Sequence, residues 1–208
     1  MPDVVHSSIQ MFADDGKLFR EIKNQADCEE LQKDLCGLQE WSKKWLLRFN
    51  VTKCKRMHLG RTNGKEAYHM SQRDEENALA ETVCEKDLGV YVDNELKFSG
   101  HCEKKVNEAN QLLGLIRRSF RYLDGPSLVT IFKSGVLPRL EYCHPVWSPR
   151  YARDCQLVEN VQRRATRLVP ALRHLNYPER LERLNLPSLY YRRARGDLIE
   201  VYKRLKGH

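Results

Sequence analysis

Apolar residues follow two different spacings along this chain, and the spacing changes near residue 98. Before that position, short β-prone runs surround one helical segment. After it, apolar residues recur every three or four positions, as they do along one face of an α-helix. The pattern predicts an α+β fold with two structural units, residues 1–98 and residues 99–208.

Two β-prone runs, Val4–Phe12 and Leu18–Ile22, flank the segment Asp14-Asp15-Gly16-Lys17. Asp-Gly is a strong signal for a tight turn, so we predict a β-hairpin with two carboxylates at its tip. A helix should follow, with Asp27 as its N-cap and Glu30 completing a capping box. Its largely apolar face is predicted to consist of Leu31, Leu35, Leu38, Ser42 and Trp45.

Shorter strands are predicted at Lys55–Gly60 and Leu88–Val92, whereas residues 61–77 are polar and should form a loop or a short irregular hairpin. Trp41 and Trp45 could stack on bases. Tryptophans on an apolar helix face are more often core residues, so we expect both in the core.

The second half is predicted to be helical throughout. Helical spacing holds from Cys102 to Phe120, and Pro126 after Asp124 opens a second helix that Pro138 should kink or end. A third helix should end at Pro170. A short helix and a longer one follow, with apolar positions at Leu181 and Leu184 in the first and at Leu198, Val201, Tyr202 and Leu205 in the second.

Charge divides at the same place as the hydrophobic pattern. Residues 1–98 carry 15 Lys+Arg against 18 Asp+Glu, a net charge of −3, and residues 99–208 carry 21 against 10, a net charge of +11. The excess is mostly arginine, whose planar fork suits phosphate oxygens. A basic half favours a polyanionic partner such as nucleic acid, although solvated helix faces would have the same composition.

Other features restrict the class of protein. No apolar run approaches the roughly 18 residues that a membrane-spanning helix needs, and the first residues do not resemble a secretory signal. The seven cysteines are scattered, without the spacing of a zinc site or a disulfide framework. Cys28 and Cys36 are expected to be small buried thiols on the first helix. We therefore expect an intracellular protein without a membrane partner.

The adjacent carboxylates of Asp14 and Asp15 suggest metal chemistry. Mg²⁺ prefers carboxylate oxygens and is often bound jointly with substrate phosphates. Two such ions can activate an attacking oxygen and stabilise a leaving one. Taken alone, the pair is more simply explained as a turn with a spare solvated acid, because Asp is a common turn residue.

The residues around this pair carry a family resemblance. Met11-Phe12-Ala13-Asp14-Asp15-Gly16-Lys17-Leu18-Phe19 resembles the aromatic-Ala-Asp-Asp hairpin of reverse transcriptases from LINE-type (non-LTR) retrotransposons of the jockey and chicken-repeat type. The resemblance continues in order over nearly the whole chain. Segments similar to the polymerase palm are Asp27–Gln32, Trp41–Trp45, Phe49–Cys54 and Lys86–Val90, and segments similar to the helical thumb are Val146–Pro149 and Val161–Ala165.

The resemblance implies a partial palm in residues 1–98 and a thumb in residues 99–208. It implies that Asp14 and Asp15 bind Mg²⁺ or Mn²⁺, and that Lys53 lies near the incoming nucleotide and protonates pyrophosphate; by spacing alone, Lys53 is an exposed turn lysine. The thumb would hold an RNA template and DNA primer through phosphate contacts, with deoxynucleotides as substrates. The arginines expected to do so are Arg117, Arg118, Arg163, Arg164 and Arg167.

The resemblance also implies a further metal-binding aspartate on an upstream palm strand. Among the residues before Asp14 the one acid is Asp3, which has no family motif around it, and position 16 is glycine where relatives commonly have threonine. Two carboxylates alone should bind Mg²⁺ weakly. We therefore expect a fragment of an RNA-directed DNA polymerase that is inactive alone. The family resemblance further implies that it acts in the nucleus. The alternatives are a non-catalytic nucleic-acid-binding remnant and a non-functional product of a decayed element.

Overall fold

A computed structural model describes residues 4–60, 64–72 and 75–207, so Asp3 lies outside the described part of the chain. Helices and small two-stranded sheets both occur, in agreement with an α+β class. The chain forms two compact units, Met1–Cys84 and Glu85–His208. Their boundary lies upstream of position 98, so the last β-hairpin before the helices belongs to the second unit.

The first unit opens with the expected hairpin, formed by β1 (Ser8–Phe12) and β2 (Asp15–Phe19). Its turn, however, consists of Ala13 and Asp14, with Ala13 at a positive φ of 52°, and not of Asp15-Gly16. The prediction of the turn was wrong because the cross-strand partners decide the register. The observed register pairs Ile9 with Leu18, the two half-buried apolar side chains of the hairpin.

Helix α1 (Gln25–Trp45) follows, and its N-cap is Asn24 rather than Asp27. The Asn24 side chain accepts a hydrogen bond from the Asp27 N–H at 3.2 Å. In return, the Asp27 carboxylate accepts from the N–H groups of Asn24 at 3.2 Å and Lys23 at 2.9 Å. Asp27 can satisfy these two backbone donors only from the third helical position, which explains why the predicted capping box with Glu30 was wrong.

One carboxylate fastens the start of the chain to α1. Asp34 is buried on the helix and accepts hydrogen bonds from the backbone N–H groups of His6 at 2.8 Å and Ser7 at 2.7 Å. Burial alone would raise the Asp34 pKa, but these bonds and one from the Ser7 side chain outweigh it and hold the pKa below its ordinary value. The ionised carboxylate thus positions the segment that leads into the hairpin.

The small core of the first unit forms where α1 meets short strands. Its buried members are Val51, Tyr68, Met70 and Leu79, and Leu31 and Leu35 of α1 pack against them. The strands are β3 (Lys55–Arg56), β4 (His69–Gln72), β5 (Glu75–Ala78) and β6 (Ala80–Glu81), with β3 parallel to β6 and β4 antiparallel to β5.

Two expectations for this unit were wrong. The predicted strand at Lys55–Gly60 ends at Arg56, because β6 offers only two partner residues and Gly60 turns the chain with a φ of 90°. Trp45 is 59% exposed and Trp41 is only half-buried, so Trp45 is not a core residue. The helix ends there in a left-handed cap at Leu46, and the core residues that α1 packs against lie nearer its start.

The second unit begins with the hairpin of β7 (Cys84–Asp87) and β8 (Val90–Asp93). Leu88 and Gly89 form its two-residue turn with φ of 44° and 88°, both positive, as hairpin turns of type I′ require. The strand predicted at Leu88–Val92 therefore begins only at Val90. The Tyr142 hydroxyl donates to the Leu88 carbonyl at 2.9 Å and so fixes the turn.

The helices of the second unit are α2 (Ser99–Ser119), α3 (Gly125–Ile131), α4 (Leu137–Glu141), α5 (His144–Trp147), α6 (Ala152–Thr166), α7 (Tyr177–Arg183) and α8 (Leu189–Lys206). Helices were predicted at the places of α2, α3, α6, α7 and α8 and are present there, whereas the short helices α4 and α5 were not predicted. A π-helical segment, Phe132–Val136, joins α3 to α4 just before Pro138. The wider π turn accommodates the missing proline N–H, so the helical path continues through a local irregularity.

Helices α2 and α6 form the centre of this unit. Side chains along both helices, from Val106 to Ile116 and from Val158 to Ala165, enter one apolar core that also contains Phe132. Ser99 Oγ donates to the buried Asp154 carboxylate at 2.6 Å, and Arg153 pairs with Glu103. These bonds join the first turns of both helices, so the two helices begin beside each other and their last turns lie away from this junction.

Among the described residues no helix is long and apolar enough to cross a membrane. The cysteines in this part of the chain are free thiols. Cys28 is buried as expected, whereas Cys36 is exposed, contrary to the prediction.

Candidate nucleic-acid interface and carboxylate pair

The two aspartates of the hairpin lie at its tip and are exposed. Asp14 is the second turn residue, and Asp15 is the first residue of β2, opposite Phe12. Neither carboxylate accepts a hydrogen bond or forms an ion pair within the described ranges. The tip therefore presents two adjacent carboxylates to solvent, with the oxygen ligands that a hard divalent cation prefers.

The third candidate catalytic residue lies on another element of the same unit. Lys53 ends the short 3₁₀ helix Val51–Lys53 and is exposed, while Val51 of the same turn is buried in the core. In the described part of the chain, neither a hydrogen bond nor an ion pair joins Lys53 to Asp14 or Asp15. Apart from residues 1–3, 61–63, 73–74 and 208, the chain also gathers no group of three or more His, Cys, Asp or Glu side chains suited to a metal ion.

The first pair of candidate arginines, Arg117 and Arg118, lies in the last turn of α2. Both side chains are exposed, while the neighbouring Ile116 is buried in the core. Helical periodicity thus places the two guanidinium groups on the solvent side of the most basic end of the helix.

The second group lies at the end of α6, where Arg163, Arg164 and Arg167 are all exposed. The Arg163 guanidinium lies over the Tyr177 ring, 4.6 Å from its centre, and the Arg180 guanidinium lies 5.7 Å from the same ring. Burial lowers the Arg180 pKa, and the positive charges of Arg167 and Arg163 lower it further. Like charges have therefore been brought close enough to repel one another.

Each arginine group lies at the C-terminal end of its own helix, away from the junction of the first turns. At about 1.5 Å per residue, Arg117 lies about 27 Å along its axis from Ser99, and Arg163 lies about 14 Å from Asp154. The second unit carries 23 Lys+Arg against 14 Asp+Glu, a net charge of +9. We call Arg117, Arg118, Arg163, Arg164 and Arg167 the basic end.

A structural role for the basic end is also present. Arginines in the last turn offset the partial negative charge of a helix C-terminus, typically by about 0.3–1 kcal/mol at exposed positions. Both α2 and α6 end in such a terminus, so both benefit from positive side chains there. This role needs one or two charges per helix end and does not account for the repulsion around Arg180.

Several structural residues of this region escaped the sequence reasoning. Arg180 is buried, with Nε donating to Thr166 Oγ1 at 3.0 Å and Nη1 to the Leu175 carbonyl at 2.6 Å. Glu159 is buried too; it accepts from the Tyr177 hydroxyl and from the N–H groups of Leu189 and Tyr190, which begin α8. The signal for Glu159 was its position between Val158 and Val161 on an apolar helix face.

His101, in the first turn of α2, is a further buried polar residue and binds the hairpin. Its Nδ1 accepts from the Tyr91 N–H at 3.1 Å, and its ring centre lies 4.7 Å from that of Trp147. Burial, and secondarily the charge of Lys105, lowers the His101 pKa to about 4. The ring is therefore neutral near pH 7 and serves packing rather than proton transfer.

Comparisons with protein-family models, with curated proteins and with solved structures found no match to this chain.

Proposed function

We propose that this chain is a palm-and-thumb part of an RNA-directed DNA polymerase of the LINE-type non-LTR retrotransposons, and that its second unit binds duplex nucleic acid through the basic end. The observation that carries the proposal is the concentration of exposed arginines at the C-terminal ends of α2 and α6. The Asp14-Asp15 hairpin and the ordered motifs around it support the polymerase assignment. On this proposal the chain acts on chromosomal DNA in the nucleus.

Electrostatics supports phosphate binding at the basic end. The charges of Arg163 and Arg167 lower the pKa of the buried Arg180, and a phosphate bound at the exposed Arg163 and Arg167 would offset that repulsion. Contacts to the phosphate backbone supply affinity without sequence preference, as a polymerase thumb requires. The Arg fork can also donate two hydrogen bonds to one phosphate.

The hairpin fits part of a metal site. Asp14 and Asp15 would supply carboxylate oxygens to Mg²⁺ or Mn²⁺, and Lys53 would supply a proton to departing pyrophosphate. When bound, the ions would stabilise the attacking and leaving oxygens of nucleotidyl transfer. Two exposed carboxylates bind such ions weakly, so we expect this chain alone to bind nucleic acid without extending a primer.

Duplex binding by the full chain tests the interface. The double variant Arg164→Gln/Arg167→Gln removes two charges that form no side-chain hydrogen bond or ion pair among the described residues. It should weaken binding of an RNA–DNA duplex and reduce the salt dependence of log K by about one unit per lost phosphate contact. The matched control is Lys43→Gln/Lys44→Gln, which removes two exposed charges from the last turn of α1.

Equal losses of duplex affinity in the two double variants would show that affinity depends on net charge and not on the arginines of the basic end. Absence of salt-sensitive binding by the unaltered chain would reject the interface altogether. Circular dichroism of both variants would establish that the helices remain formed.

Primer extension tests the catalytic part. With an annealed RNA template, DNA primer, deoxynucleotides and Mg²⁺ or Mn²⁺, the full chain should yield no template-dependent product. Weak Mn²⁺ binding, measured by electron paramagnetic resonance, should be lost in Asp14→Asn/Asp15→Asn and kept in Asp197→Asn. Template-dependent product would contradict the expected inactivity, and Mn²⁺ binding that is unaffected by the hairpin variant would contradict the metal assignment.

A further inference from the structure

A cavity of about 230 Å³ lies between α4, α5 and α8 in the second unit. Its polar lining comes from Glu141, His144, Tyr191, Arg192, Arg193 and Arg195. We call it the arginine cavity. None of these residues belongs to the basic end.

Two of the lining residues hold each other in place. Arg192 binds the Glu141 carboxylate with both ends of its fork, Nε to Oε1 at 2.5 Å and Nη2 to Oε2 at 2.8 Å. This hydrogen bonding raises the Arg192 pKa above its ordinary value. The Glu141 charge is therefore already matched within the wall, and the wall between α4 and α8 is rigid.

The opposite part of the wall depends on one glycine. A Cβ at Gly196 would lie 2.5 Å from His144 Cε1 and 2.7 Å from His144 Nε2, so the ring packs directly on the backbone of α8. His144 Nε2 lies 3.2 Å from Asp197 Oδ1. Asp197 lies outside the cavity lining, and the close approach of the ring to the backbone at Gly196 fixes where the imidazole lies.

The other two arginines lack such partners. Arg193 is only 5% exposed, and its Nη2 is buried without a hydrogen-bond partner among the described residues. Arg195 is exposed at the cavity and likewise has no ion pair in that part of the chain. Buried guanidinium nitrogens in folded proteins nearly always have an acceptor. The lining thus holds three guanidinium groups against one carboxylate, that of Glu141, which Arg192 already binds.

We propose that the arginine cavity binds a phosphate group. Two unpaired guanidinium groups beside a rigid pair offer the planar, multiple donors that tetrahedral phosphate oxygens accept. At about 30 Å³ per water molecule, the volume corresponds to about seven or eight waters, enough for one phosphate group with part of what it is attached to and too little for a folded peptide. The proposal does not depend on polymerase activity or on the basic end.

Calorimetric titration of the full chain with inorganic phosphate, at constant pH and ionic strength, tests the proposal. The unaltered chain should bind phosphate at one site, and Arg195→Gln should weaken that binding at least about tenfold, the usual effect of losing one charge-assisted hydrogen bond. Lys203→Gln, an exposed charge removed from the same helix outside the cavity, should change nothing. Because Arg193 is buried, the exposed Arg195 is the deciding position, and Arg193→Lys is a second variant for chains that remain folded.

The source of the phosphate is resolved by repeating the duplex titration with saturating inorganic phosphate at the same ionic strength. If phosphate weakens duplex binding by the unaltered chain but not by Arg195→Gln, the occupant is a backbone phosphate of nucleic acid. If duplex binding is unchanged or absent while phosphate binds, the occupant is a free phosphate or nucleotide. No phosphate binding by the unaltered chain, or equal affinity in Arg195→Gln, would overturn the proposal.

Discussion

The two units of this chain differ in the size of the apolar core that each one forms. In the second unit, the helices bury a continuous core that includes Leu128, Phe132 and Leu140. In the first unit, the described core is much smaller, and large apolar side chains remain exposed on the hairpin and at the end of α1. These are Met11, Phe12, Phe19, Trp45, Leu46 and Leu47.

The difference shows that apolar spacing predicts elements better than it predicts burial. A helix or hairpin forms from local preferences, but a side chain is buried only where enough other elements meet it. Several helices meet in the second unit, so nearly every apolar residue along one face of α2, from Cys102 to Ile116, is buried. The hairpin of the first unit forms as its apolar pattern predicts, but few other elements pack against it.

The largest expected contrast concerns two tryptophans. Trp147 is fully buried and donates from Nε1 to the Tyr142 carbonyl at 2.7 Å, so Trp147→Ala should lower the free energy of unfolding by about 3–5 kcal/mol. Trp45→Ala, at a largely exposed position, should cost less than about 1 kcal/mol. Urea unfolding followed by circular dichroism measures both. A comparable loss for Trp45→Ala would mean that the first unit depends on a surface that is buried under the conditions of measurement.

An intermediate effect is expected at two carboxylates that bind backbone N–H groups. Asp34 does so in the first unit, and Asp93 in the second binds the N–H groups of Glu95, Lys97 and Phe98. Burial alone would raise the Asp93 pKa too, but these bonds lower it. Replacing either residue by Asn should cost about 1–3 kcal/mol near pH 7.

The pH dependence of these two sites follows from the sign of the shift. Because the folded pKa lies below the ordinary 3.8, the stabilisation is complete above 3.8 and is lost as pH falls through the folded pKa. Amide hydrogen exchange measured from pH 6 downward should show Asp34→Asn removing part of the acid sensitivity of the first unit only, and Asp93→Asn that of the second only. Unchanged acid sensitivity in either variant would contradict the assigned role.

The smallest expected contrast is between two glycines with positive φ. Gly60→Ala, with open space around the added Cβ, should cost about 1 kcal/mol for the left-handed backbone alone. Gly89→Ala should cost about 1–2 kcal/mol, because its Cβ would also lie 3.2 Å from Tyr142 Cε1. Urea unfolding of the two variants should rank them in that order; the reverse order would mean that the Tyr142 ring moves away freely.

The sequence predicts a structural feature well where residues nearby in the chain determine it. It predicts poorly the features that depend on residues far away in the chain. The apolar face of α2 and the start of α3 at Asp124 and Pro126 were predicted correctly. Each depends on residues within one or two turns along the chain. The turn at Ala13-Asp14 was missed because the pairing of Ile9 with Leu18 chooses it.

The candidate sites show the same division. That the basic arginines are exposed follows from periodicity, but the Tyr177 ring beneath Arg163 could not be foreseen from the sequence. The sequence does not distinguish Arg193 from the other basic residues of α8. Its burial depends on α8 turning Leu189 and Arg193 inward together while Leu198 and Tyr202 remain exposed.

The bonds from Asp34 to the backbone of His6 and Ser7 have a consequence for sequence variation. The donors are main-chain N–H groups, so almost any residue except proline can donate from positions 6 and 7. The acceptor at position 34, by contrast, has to be a short ionised carboxylate. Among sequences that keep this hairpin, position 34 should therefore vary far less than the two positions that it holds.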